Sequence, residues 1–123
     1  MTETMNSHTP ISKESWKWFG SPGHFCVCHR CQFHLCTQVG NYLVSTVGDY
    51  LPEGAESFQP VNSSGLFETM VFAVSGPCPC GCGAPDHNGR ELEVQSYNTR
   101  KEANEGHVTM CERAALWPEP PQI

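Results

Sequence analysis

The sequence predicts an α+β domain: a small, mostly antiparallel sheet of about four strands with one C-terminal helix packed on it. Three observations carry that expectation. A Gly40-Asn41 turn joins two runs that read as strands, the second rich in β-branched and aromatic residues. Two more strand-like runs follow, separated by segments rich in Gly, Pro, Ser and Asn. After Tyr97 the apolar spacing changes to steps of four and three, the period of a helix.

In chain order, residues 1–15 are polar and read as a flexible N-terminal tail. "SWKWFGSPGHF" follows and reads as an arm that lays Trp16, Trp18 and Phe19 onto the domain. Its interleaved Lys13 and Lys17 also suit a base-stacking surface, but no basic groove accompanies them. The strands are "QFHLCTQVG", "YLVSTVGDYL", "ETMVFAV" and "RELEVQSY". A loop runs from Pro52 to about Gly65, and "SGPCPCGCGAPDHNG" is a second, with His87 as a turn residue.

Thr99 and Glu102 have capping-box spacing, so each side chain can satisfy the other's backbone donor. Ala103, His107, Met110, Ala114 and Trp117 form one helical face, and Pro118 ends the helix. Gly106 inside it costs about 1 kcal/mol relative to Ala and either lets another backbone come close or is simply tolerated. The expected organisation is a tail over 1–15, a single domain over 16–117 and an extended tail over 118–123.

With 123 residues and 38% hydrophobic content, the core is modest, and cross-links or metal would help it. A net charge of −6 without a basic patch argues against a nucleic-acid binder. No apolar run reaches the roughly 18 residues of a membrane span. The N-terminus lacks the basic and apolar regions of a secretion signal, which places the chain in a cytosol where thiols stay reduced. Eight cysteines there read as metal ligands ahead of disulfide partners, with the disulfide alternative open.

Cys31 and His34 are three apart, and His107 and Cys111 are four apart on the helix. If a turn or strand start carries the first pair and faces the second, two thiolates and two imidazoles suit a structural zinc ion. Cys36 is the substitute ligand. A competing partition takes two of Cys78, Cys80 and Cys82 with Cys28 and Cys31, an all-cysteine site. Against both stands the plain alternative that the cysteines are small core residues and His107 a core histidine. His8 and His29 read as solvent residues, and His24 as a replacement ligand. There is no nucleophile elbow or phosphate loop, and Cys28-x-x-Cys31 lacks the strand-to-helix setting of a redox motif.

Through "SWKWFGSPGHF", "CQFHLCTQVGNYLVSTVGDYLP", "ETMVF" and "YNTRKEANEGHVTMCE", the chain resembles a group of small uncharacterised proteins encoded by tailed bacteriophages and prophages. The resemblance covers most of residues 16–115. It implies a phage origin and a compact domain. It also leans toward the site of Cys31, His34 and the helix over the loop site, and implies no reaction. The expectation is a zinc-stabilised accessory or interaction protein with an unidentified protein partner, working in the host cytoplasm. The alternatives are a virion or assembly component, and a small metal- or thiol-dependent enzyme.

Overall fold

The computed structural model describes residues 10–19, 30–78 and 85–120, without the side chains of residues 88 and 89. Five strands form one curled antiparallel sheet in the order β1-β2-β3-β4-β5. They are β1 (Lys17–Phe19), β2 (Cys31–Val39), β3 (Tyr42–Tyr50), β4 (Phe67–Pro77) and β5 (Pro85–Tyr97). The helix α1 (Arg100–Ala114) follows β5. The α+β class is as expected, with one strand more. That strand, β1, comes from the aromatic arm, which pairs Trp18 with Thr37 and Phe19 with Cys36. Three residues are too few to show a period of two, so only the pairing with β2 makes them a strand.

Gly40 takes a φ of 61° in the β2–β3 turn, and from there the two strands pair residue by residue, from Val39 with Tyr42 to His34 with Val47. The register sorts side chains by face. Phe33, Leu35, Thr37 and Val39 of β2 share a face with Tyr42, Val44 and Thr46 of β3 and with Phe67, Thr69 and Val71 of β4. This is the face α1 covers: Met110, Cys111, Ala114 and Ala115 pack with Trp16, Val39, Val44 and Val71. Ala103 packs with Phe33 and Phe67 farther along. On the other face Cys36, Leu43 and Phe72 cluster with Phe19, Met70 and Val74. β3 sits in the middle and is buried on both faces from Tyr42 to Asp49, so the Ser45 and Thr46 hydroxyls are buried along with its apolar side chains.

The β4–β5 ladder is regular from Phe67–Tyr97 to Val71–Glu93, then slips in register three times before Gly76. Between Val71 and Phe72 the slip leaves Leu92 as one extra residue on β5, as in a bulge, and such breaks in a ladder bend a sheet. His87, expected in a turn, lies in β5 and stacks on the Phe72 ring with centroids 4.1 Å apart.

Thr99 caps α1 by accepting from the Glu102 backbone N–H at 3.0 Å. Glu102 reaches back to the N–H of Asn98, one residue beyond the expected Thr99. Arg100 forms an ion pair with Asp49, a residue with φ of 50° and an 8% exposed surface. Gly106 is explained by a side chain rather than a backbone: a Cβ there would lie 2.3 Å from the Tyr97 ring.

Both expected tails are tied to the domain where they are described. The Ile11 N–H donates to the Ala115 carbonyl at 3.0 Å, and Ile11 packs on the core. The Tyr42 hydroxyl donates to the Pro118 carbonyl at 2.5 Å, and Asn41 donates to Glu119 at 2.6 Å. Residues 1–9 and 121–123 lie outside the described residues.

Candidate functional site

The most polar part of the core lies where α1 crosses β2, β3 and β4. His107 is fully buried there. Its Nε2 is hydrogen-bonded to the Thr37 hydroxyl at 2.9 Å and its Nδ1 to the Thr46 hydroxyl at 2.6 Å. Thr46 is hydrogen-bonded in turn to Thr69 at 2.5 Å. The three threonines come from adjacent strands on the face beneath the helix, because Thr37 pairs with Val44, and Thr46 with both Leu35 and Thr69. The Trp18 ring lies over the imidazole, with centroids 5.5 Å apart. A neutral imidazole offers one N–H and one lone pair, and a hydroxyl can serve either.

Burial sets the chemistry of this region. Desolvation, with the His34 imidazole adding to it, pushes His107 down to about 4. Burial pushes the Cys36 thiol up to about 12. It does the same for Cys111, up to about 12, where a Thr37 hydrogen bond opposes and Cys36 and Glu112 add to the rise. At neutral pH all three groups are therefore held uncharged. Such thiols are poor nucleophiles and such a histidine is a weak base.

The structure does not bring Cys31, His34, His107 and Cys111 together as one ligand set. In a strand, residues three apart point to opposite faces. Register puts Cys31 on the helix side and His34 on the far side, where its Nε2 meets the Ser45 hydroxyl at 3.4 Å. Burial lowers the pKa of His34 as well. Cys36 shares the face of His34, as alternation requires, but that is the face turned away from α1. His107 and Cys111 do share a helix face, yet both nitrogens of His107 are engaged by threonines.

Cys31 and Cys78 are half-buried. Cys31 pairs with Tyr50 at one end of β3, whereas Cys78 follows β4 beyond the Tyr42 end. Cys28, Cys80 and Cys82 of the alternative partition lie outside the described residues, as do His8, His24 and His29. Among the described residues, no three His, Cys, Asp or Glu side chains converge so as to hold a metal ion.

Sequence reasoning missed Thr37, Thr46 and Thr69. The signal that could have found them is a polar residue at an inward position of three successive strands, which needs a hydrogen-bond partner in the core. No family model, curated protein or solved structure matches the chain. Among the described residues, no helix is long and apolar enough to cross a membrane.

Proposed function

We propose that this chain is a small binding module, an accessory or interaction protein, in which the buried cysteines and histidine serve the core rather than a reaction. The observation that carries this reading is the state of three chemically versatile groups, His107 and Cys111 on α1 and Cys36 on the far face of the sheet. His107 has both nitrogens occupied by threonine hydroxyls, and the Cys36 and Cys111 thiols are buried and pushed up to about 12. A thiol enzyme needs the reverse, an accessible cysteine with a lowered pKa beside a free base. The resemblance to phage and prophage proteins supplies the setting, a host cytoplasm.

Differential alkylation tests the reading. Native protein treated with iodoacetamide at pH 7 should carry no label on Cys36 or Cys111, and both should label fully once the chain is unfolded. Rapid labelling of either in the native state would overturn it. Structural zinc belongs to the same proposal as the cysteine spacing raised it, without the four-residue set centred on His107. Metal analysis of the purified protein decides it: stoichiometric zinc supports the ion, and folded, metal-free protein removes it.

A further inference from the structure

The geometry points to the surface such a module would use: the outer edge of β5, with the groove between β5 and α1, takes an extended basic segment of a partner protein as an added strand. This rests on the non-catalytic reading and names the surface and partner class that it leaves open.

β5 ends the sheet, and among the described residues no strand pairs with its outer side. Its ladder with β4 is regular from Glu93 to Tyr97, so this part of the edge is straight. An edge strand presents backbone donors and acceptors that match another extended chain. Beside the edge lies a cavity of ≈ 290 Å³ between the strand and one face of the helix. Tyr97, Gly106 and Met110 line it, with Glu102, Glu105 and Arg113 around them. Alternate side chains of an added strand would enter that groove, and the others would lie on the far face. There Val94 is 44% exposed, an apolar neighbour for them.

Charge selects the occupant. Arg113 is already held by Glu93 at 2.8 Å. Glu105 contacts only Lys101 among the ion pairs described, and those two side chains are 63% and 81% exposed. Such a pair is weak and readily exchanged for an incoming cation. Glu102 adds a second carboxylate one turn closer to the strand end. A lysine or arginine therefore fits this end of the groove.

A second copy of the chain fits poorly. Two β5 edges related by a two-fold axis through the sheet pair residues that share a face. Centred on Leu92, the pairing sets Glu91 against Glu93 of the copy; centred on Glu91 or Glu93, it sets that residue against itself; centred on Val94 or Gln95, it sets Glu93 of the copy opposite Gln95 or Tyr97 and brings a carboxylate rather than a cation to the groove. Like charges directly opposite one another destabilise a pair of strands.

The test is a random peptide library panned on the immobilised full chain, with selected peptides synthesised and titrated by fluorescence polarisation. Selected peptides should alternate apolar β-formers with Lys or Arg. Glu105→Lys, on the exposed side of α1, should weaken them about tenfold or more through charge reversal. N-methylation of alternate peptide nitrogens should abolish binding in one set and spare it in the other. Failure to enrich any peptide would overturn the groove, as would binders indifferent to Glu105→Lys and to N-methylation. Neither outcome touches the alkylation result, so the loss of this surface and the loss of the non-catalytic reading remain distinguishable.

Discussion

Nδ1 of His107 lies 2.6 Å from the hydroxyl of Thr46, joining the helix to the central strand of the sheet through a buried hydrogen bond. Removing that hydroxyl while keeping its volume strands the ring nitrogen in the core. Thr46→Val should therefore destabilise the fold by about 1–3 kcal/mol, the range for an orphaned buried polar group. The loss also reaches Thr69, which shares the hydroxyl. Urea denaturation followed by circular dichroism measures it, and an unchanged midpoint would show that the network adds nothing.

The acid limb of stability should carry the mark of His107. Its folded pKa of about 4 lies below the ordinary value of 6.5, so the folded state favours the neutral ring. The stabilisation is full above pH 6.5 and is lost as the pH falls toward 4, because the unfolded chain takes up the proton first. A gap of this size corresponds to about 3 kcal/mol at most. Burial of His34 works in the same direction. Denaturation midpoints between pH 7 and 4 should fall more steeply for the native chain than for His107→Gln. Equal slopes would remove His107 as the cause.

The alkaline limb should belong to the two thiols. Both folded pKa values, about 12, lie above the ordinary 9.0, so their stabilisation is present below pH 9 and is lost as the pH rises toward 12. Cys36→Ala combined with Cys111→Ala should flatten the stability profile above pH 9, at the expense of a lower plateau from the two small cavities. A profile of unchanged slope would mean that the thiols ionise as freely in the folded chain as in the unfolded one.

Gly106 tests the seat of the helix on β5. Alanine is the better helix former by about 1 kcal/mol, yet its Cβ would lie 2.3 Å from the Tyr97 ring. Gly106→Ala should thus be net destabilising, by about 1–3 kcal/mol from overpacking. Adding Tyr97→Leu should recover part of the loss. A Gly106→Ala variant more stable than the parent would show that the ring swings aside without penalty.

Much of the architecture was legible because it is written in local periods. The Gly40-Asn41 turn, the β-branched and aromatic residues of β3 and the step of Ala103, His107, Met110 and Ala114 each follow from backbone geometry over a few residues. β1 was not legible as a strand, since its three residues gain their conformation from pairing with β2. The curl of the sheet was equally hidden, because the slips between Val71 and Gly76 depend on how two strands mismatch.

The candidate site divides in the same way. The sequence by itself determined that His107 and Cys111 lie on one apolar helix face, since four residues make about one turn. Only the tertiary structure decided what that face meets. Strand alternation sends His34 and Cys36 to the far side of the sheet, and the pairing of β2, β3 and β4 brings three threonines beneath the helix instead. A spacing along the chain states which residues could share an ion; the parity of each strand relative to the helix, set by long-range register, states which ones face each other.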